Sequence, residues 1–297
     1  MPTSRLALVT AAAARDLDDD LPPLRAALEA AGIAHDVVDW DDADTDWSRY
    51  RLALLRSPWD YTMRLREFLD WAERASRATQ LLNPLDVIRW NTDKHYLGDL
   101  ARAGVATVPS HFIEPGEDAQ MLLDRFLVRH AAGEFVVKPS VGAGSRDAQR
   151  YGREERAQAL DHTQRLLDGG RSVLLQPYLD RVDAHGETAL IFFDGEYSHA
   201  IRKGPLLKRG EGPTRALFAA EHITPRTPGV DELRVAQSAL AAMPFAQPLL
   251  YARVDLIRDG ADAPCVLELE LTEPSLFFAH ADGSAARFAH GVARRLA

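Results

Sequence analysis

The sequence predicts an α/β plus α+β protein, with a small N-terminal parallel α/β domain and a larger α+β region behind it. Two observations carry this. Strand and helix signals alternate through residues 1–89, the order that lays helices on a parallel sheet. From about Phe135 the pattern changes to short apolar runs separated by hairpin-length turns, which points to antiparallel strands.

In the first region, Arg5–Thr10 is a short apolar run and reads as a buried strand. Leu21–Ala31 has helical spacing, with Pro22 and Pro23 at its start and Gly32 at its end. Ala34–Trp40 and Arg51–Leu55 read as the next strands. Leu65, Phe68, Leu69 and Ala72 mark one face of a helix over 64–77. A further helix is expected over Asn91–Ala103, N-capped by Asn91 or Thr92 and stopped at Gly104. The boundary is placed near Arg89, giving domains 1–89 and 90–297. In the second region the strand candidates are Phe135–Pro139, Val173–Pro177, Thr188–Phe193, Ser198–Arg202, Tyr251–Ile257 and Cys265–Leu271. Asp194–Gly195 and Asp259–Gly260 are hairpin turn signals.

Composition narrows the function classes. The chain has 297 residues, room for about two domains of ~150 residues each. Its net charge is −9 and no block of Lys and Arg stands out, which argues against nucleic-acid or anionic-membrane partners. The single cysteine, Cys265, excludes an intrachain disulfide framework and reads as a small core residue. With no secretory leader and no apolar run of ~20 residues, a cytoplasmic location is expected. The ten histidines show no metal-site spacing such as HExxH. Oligomeric state is not set by the sequence.

The segment FVVKPSVGAGSRDAQRY (Phe135–Tyr151) carries the first chemical signal. Lys138 ends an apolar strand, and Gly142, Gly144 and Ser145 follow in a loop. Glycines let backbone N–H groups approach an anion, and a nearby lysine neutralises phosphate charge. The lysine precedes the glycines, so this is not a P-loop, where it follows them. No G-x-G-x-x-G follows the first strand, which disfavours a dinucleotide fold. On the residues alone, a plain hairpin turn beside a solvated lysine fits as well.

The second signal is a pair of period-2 patterns. Arg253 and Asp255 share one face of a strand, and Glu268 and Glu270 share one face of another. Leu267, Leu269 and Leu271 take the opposite face. The short connection Arg258–Pro264 predicts a hairpin that brings the three carboxylates together. Clustered carboxylates repel unless a cation joins them, and Mg²⁺ prefers such oxygens with substrate phosphates. A solvent-exposed charged strand face is the competing interpretation.

In this order the segments resemble the ATP-grasp superfamily, over about Asn83–Ser275. The resemblance implies an ATP-grasp fold, with ATP and Mg²⁺ as cofactors. NTDKHYLGDLARAGVATVPS resembles the family's first nucleotide-lysine segment, which gives Lys94 that role. FVVKPSVGAGSR resembles the second lysine and the flap, near 138–147. SVLLQPYL resembles the hinge, near 176–180, with Gln176, Tyr178 and Leu179 at adenine. Glu187, with Asp183 as rival, takes the ribose or nucleotide contact. Arg202 and Lys203 stand where the family places basic groups facing phosphate or substrate. RVDLI and LELELTEPS resemble the metal strands, implying Asp255, Glu268 and Glu270 as ligands and Arg253 as a charge stabiliser. The family usually has Glu-x-Asn in its last metal motif, whereas this chain has Glu268-Leu269-Glu270.

Within the superfamily, LLRSPWDY, LLNPLDVIRWNTDK and LELELTEPSLFF look similar to the branch that includes the cycloserine-biosynthesis cyclo-ligase and RimK-like ligases. That branch implies closure of O-ureido-D-serine to D-cycloserine, a small amino-acid-like carboxylate substrate. Arg56, Asp60 and Tyr61 fall just after a strand, where ligand loops sit, and Arg56 is a candidate for a substrate carboxylate. A loop anchored by buried Trp59 and Tyr61 is the alternative. The implied chemistry is transfer of the ATP γ-phosphoryl group to a carboxylate, then displacement of phosphate by a nitrogen nucleophile. A two-substrate carboxylate–amine ligase and a non-catalytic nucleotide-binding protein are the competing functions.

Overall fold

Four parallel strands build the N-terminal sheet of the chain, described here by a computed structural model that covers residues 5–210, 222–246 and 248–297. They are β1 (Leu6–Thr10), β2 (His35–Asp39), β3 (Leu52–Ser57) and β4 (Gln80–Leu82), in the order β2-β1-β3-β4. Helices α1 (Leu21–Ala30) and α2 (Leu65–Ala78) connect them. Proline at the first turn of α1 needs no hydrogen-bond partner there, and the buried face is Leu21, Leu24 and Leu28. In α2, Phe68, Trp71, Ala72 and Ala75 turn inward. β4 is only three residues long and gave no periodic signal in the sequence.

Two corrections arise in this half. The expected helix Asn91–Ala103 is two helices, α3 (Leu85–Asn91) and α4 (Tyr96–Arg102), with Lys94 in the break. Asn91 caps nothing at a helix start. Its side-chain NH₂ donates to the Leu269 carbonyl (2.7 Å) and its Oδ1 accepts from the Leu271 N–H (2.7 Å), so it acts as a substitute strand partner. The second correction is that β3 runs on through Arg56, which therefore lies inside a strand. Its charge is tolerated because Asp18 (3.2 Å) and Asp20 (3.5 Å) meet it.

A four-stranded antiparallel sheet follows, ordered β5-β8-β6-β7: β5 (His111–Ile113), β6 (Glu134–Pro139), β7 (Gln149–Gly152) and β8 (Val173–Pro177). Helices α5 (Ala119–Arg129) and α6 (Arg156–Asp168) pack on it through Leu123, Phe126, Ala159 and Leu166. After α7 (Arg181–His185) comes a five-stranded antiparallel sheet, ordered β11-β10-β9-β12-β13. Its strands are β9 (Glu187–Phe193), β10 (Glu196–Lys203), β11 (Ile223–Arg226), β12 (Tyr251–Arg258) and β13 (Pro264–Glu270). Helices α8 (Val230–Ala241) and α9 (Ser284–Leu296) complete the chain. Asp194 and Gly195 both adopt positive φ in the β9–β10 turn (52° and 80°), as a tight hairpin turn requires. Cys265 is buried and free.

The parallel sheet and the five-stranded sheet share one core. Leu6, Leu8, Leu52 and Leu54 pack in a cluster with Ile191, Tyr251, Leu276 and Phe288. The division placed near Arg89 falls within α3. Polar contacts reinforce the junction. The Asp20 carboxylate accepts backbone N–H groups of Phe277 (3.1 Å) and Phe278 (2.8 Å), and Arg56 donates to the Pro274 carbonyl (3.3 Å). Arg56 is 0% exposed. Its replacement leaves Asp18 and Asp20 buried without their cation. Arg56→Met is therefore expected to lose about 3–5 kcal/mol of stability, the usual penalty for orphaning a buried charge. Urea unfolding followed by circular dichroism measures this, and an unchanged midpoint would refute the role.

Candidate functional site

The site is assembled on paired strands. Across the β12–β13 ladder, Arg253 lies opposite Glu270 and Asp255 opposite Glu268, the hairpin the sequence predicted. At the other side of β12, Glu187 on β9 faces Lys203 on β10. One sheet face thus carries six charged side chains. Arg253 grips Asp255 through two hydrogen bonds (2.8 and 2.9 Å) and also binds Glu270. Lys203 bridges Asp255 (2.7 Å) and Glu187. Lys94 pairs with Glu268 (2.8 Å).

The four-stranded sheet supplies the opposite wall. Lys138 is the penultimate residue of β6, and residues 140–148 form the glycine-rich connection to β7. The Lys94 ammonium donates to the Gly142 carbonyl (2.7 Å), and the Lys94 N–H donates to the Ser140 carbonyl (2.9 Å). Val141 packs against the cluster containing Trp59 and Tyr61. The flap is thereby tied both to the lysine and to the N-terminal sheet. Gly144 and Ser145 have φ of 60° and 59°, the left-handed conformation that turns successive N–H groups to one side.

A single pocket joins the two walls. Lys94, Lys138, Lys203 and Arg253 reach it, with Glu187, Glu268 and Glu270. Gly142, Gly144 and Ser145 cover it, and Tyr61 closes the N-terminal side. Gln176, Tyr178 and Leu179 line it beside Val108, Val136, Ile257 and Leu267. That apolar slot with one buried amide suits a flat heteroaromatic ring. Gln176 is 2% exposed, and its NH₂ donates to Ser110 Oγ (2.9 Å).

Four predicted residues are placed elsewhere. Arg56 is enclosed by Asp18 and Asp20, so the carboxylates it recognises are internal. Asp60 accepts from Trp40 Nε1 (2.8 Å) and pairs with Arg64 (3.6 Å). Asp183 pairs with Arg150 (3.2 Å), whose guanidinium stacks 3.6 Å from the Tyr178 ring centre. Of the two candidates for the nucleotide contact, it is Glu187 that reaches the pocket. Arg202 donates to the His185 (2.7 Å) and Ala184 (3.1 Å) carbonyls at the end of α7. It points away from Lys203 because strand neighbours alternate faces.

Glu273 was missed in the sequence. It lies beyond β13, out of register with the Glu268–Glu270 alternation, yet it lines the pocket. Trp59 lines it too, and its Nε1 donates to the Glu273 carbonyl (3.1 Å).

Burial and pairing divide the charges. Burial pushes Lys138 down to about 8, and no ion pair reaches it among the described residues. Burial pushes Glu270 up to about 8 although Arg253 opposes this, and Glu187 up to about 8 against Lys203. Burial also opposes the Asp255 charge, but Arg253 and Lys203 prevail and hold it below the ordinary carboxylate range. For Glu268, burial is outweighed by Lys94 and Lys138, again downward.

The carboxylate oxygens are of the hard type that Mg²⁺ takes. Glu268 and Glu270 face the pocket, while Asp255 is 1% exposed behind Arg253 and Lys203. Among the described residues, no three His, Cys, Asp or Glu side chains converge as a finished ligand set. The donors fit the ion chemically, with lysine and arginine standing at the carboxylates in this state.

A parallel α/β sheet followed by two antiparallel lobes, closing on one pocket beneath a glycine-rich flap, defines an ATP-grasp ligase. The D-alanine–D-alanine ligase of Bacillus anthracis complexed with ATP shares this fold, with a TM-score of 0.69 at 14% identity over 99% of this chain and 97% of that one. Closer similarity places the chain within the class. The crystal structure of D-cycloserine synthetase DcsG superimposes with a TM-score of 0.92 at 44% identity, covering 99% of this chain and 100% of that one. The cycloserine biosynthesis protein DcsG of Streptomyces lavendulae is 45% identical over 296 residues, 98% of each chain. The family described as the D-cycloserine synthetase DcsG N-terminal domain matches residues 6–83. The chain belongs to the DcsG family and is an ATP-dependent ligase. Among the described residues, no helix is long and apolar enough to cross a membrane.

The lowered Lys138 value gives a pH test. Its ammonium is charged below about 8 and neutral above it. Raising the pH from about 7 to about 9 is expected to weaken ATP binding by up to about tenfold, following the loss of the protonated fraction. Glu187 and Glu270 also become anionic in this window, so Lys138→Ala isolates the lysine. Calorimetry should show a shallower pH dependence in that variant. An identical profile in both proteins would exclude Lys138 as the phosphate contact.

Proposed function

We propose that this ligase uses Mg·ATP to activate the carboxylate of a small amino acid as an acyl phosphate, and that a nitrogen of the same molecule then closes a ring. The reaction with best support is conversion of O-ureido-D-serine to D-cycloserine, in which the oxygen-bound ureido nitrogen displaces phosphate from the acyl phosphate and water then removes the carbamoyl group as CO2 and NH3. The observation that carries it is the convergence of Lys94, Lys138, Lys203 and Arg253 on one pocket beneath the flap. Full-length likeness to cycloserine biosynthesis proteins supports the choice of substrate.

A carboxylate resists nucleophiles because oxide is a poor leaving group, and phosphorylation provides a better one. The transition state carries charge on the transferring oxygens, so positioned cations are the main catalytic resource. Gln176, Tyr178 and Leu179 hold the adenine side, and Glu187 the ribose. Lys94 and Lys138 meet the phosphates, with flap N–H groups from Gly142, Gly144 and Ser145. Arg253 and Lys203 face the carboxylate being activated. Glu268 and Glu270, with Asp255 behind them, would hold Mg²⁺, which neutralises phosphate charge when bound. The flap excludes water that would hydrolyse the acyl phosphate. Tyr61 closes the substrate end. An intramolecular nucleophile needs no second substrate.

Phosphate and ADP release with Mg·ATP and O-ureido-D-serine, with and without an added amine, tests the function. Turnover without the amine is expected, and turnover only with it would point to a two-substrate ligase. Glu268→Gln and Lys138→Ala are each expected to lower turnover by about 10²-fold or more, with circular dichroism unchanged. Wild-type rates in either folded variant would overturn the assignment.

A further inference from the structure

Five carboxylates lie at or beneath the pocket, and four have cationic partners. Lys203 serves Glu187 and Asp255, Arg253 serves Asp255 and Glu270, and Lys94 serves Glu268. Glu273 differs. It is 9% exposed and lines the pocket, and among the described residues it has no ion pair. Its carboxylate accepts a hydrogen bond from the Tyr61 hydroxyl.

The position is fixed from several sides. Trp59 Nε1 holds the Glu273 carbonyl (3.1 Å), Arg56 holds the Pro274 carbonyl (3.3 Å), and Arg253 donates to the Ser275 carbonyl (3.0 Å). A buried carboxylate without a counter-charge is costly. One held by so many neighbours does not relax away from the pocket. Lys94 and Arg253 act on it without forming an ion pair, and the pocket opening is where a ligand can bring a directly paired cation.

Arg253 touches the same segment two residues on, so a guanidinium and a carboxylate that form no ion pair with each other both border the pocket. That pair of opposite charges is complementary to a zwitterion. We propose that Glu273, supported by Tyr61, binds the ammonium group of an α-amino-acid substrate whose carboxylate lies toward Arg253. The assignment rests on the proposed ligase activity and specifies the substrate class: free α-amino acids, not N-acylated or des-amino acids. Burial pushes Glu273 up to about 7, so the ammonium site is anionic above that pH and neutralised below it.

The test compares O-ureido-D-serine with its des-amino counterpart. Glu273→Gln is expected to raise KM for the amino acid about 10- to 100-fold, the worth of a charge-assisted hydrogen bond, while KM for ATP and KM for the des-amino compound stay within about twofold. Tyr61→Phe should give a smaller rise with the same selectivity, and it serves if Glu273→Gln does not fold. In the parent, KM for the amino acid should rise as pH falls below about 7. That rise should vanish in Glu273→Gln. Equal losses for both compounds, or a fall in kcat at constant KM, would overturn ammonium recognition. Calorimetric binding of the amino acid to parent and Glu273→Gln, with a non-hydrolysable ATP analogue present, decides the assignment without turnover. Amino-acid binding that depends on Glu273, in a parent that releases no ADP with this substrate, would uphold the site and overturn the proposed ring-closing reaction. Binding unaffected by the substitution would overturn the site alone.

Discussion

The two-pronged contact of Arg253 with Asp255, its neighbour on one face of β12, organises the charged sheet face. The guanidinium also reaches Glu270 across the ladder and the Ser275 carbonyl beyond it. Asp255 is shared with Lys203, which carries the connection to Glu187 on β9. A buried ion pair of this kind does little for net stability, because desolvation offsets the attraction. What it provides is direction. Arg253 and Lys203 are both held by Asp255 and both line the pocket.

Much of this face was legible in the sequence because strand geometry has period 2. Arg253 with Asp255, and Glu268 with Glu270, needed only that rule and a short connection. The same rule separates Lys203 from Arg202, one toward the pocket and the other toward the end of α7. Glycine spacing and the lysine before it likewise located the flap.

What the sequence hid depends on long-range partners. Arg56 looked like a ligand residue because nothing local shows that Asp18 and Asp20 fold back onto it. The break around Lys94 is invisible to helical periodicity, because the partners of Asn91 at its start, Leu269 and Leu271, lie far along the chain. β4 is too short to show a period. Glu273 follows the last alternating strand, and only folding reveals that it lines the pocket with no ion pair among the described residues.

The Asp20 clamp has an implication for how the specificity of this chain can change. Asp20 fixes the backbone of Phe277 and Phe278, and Phe277 lines the pocket. Asp20, near the start of the chain, thus fixes backbone in a pocket wall that the last third contributes. Altering substrate scope by recombining N-terminal and C-terminal halves of related enzymes would separate that carboxylate from the backbone it holds. The two halves form a structural unit, and libraries that vary them independently would lose pocket geometry before they gained new selectivity.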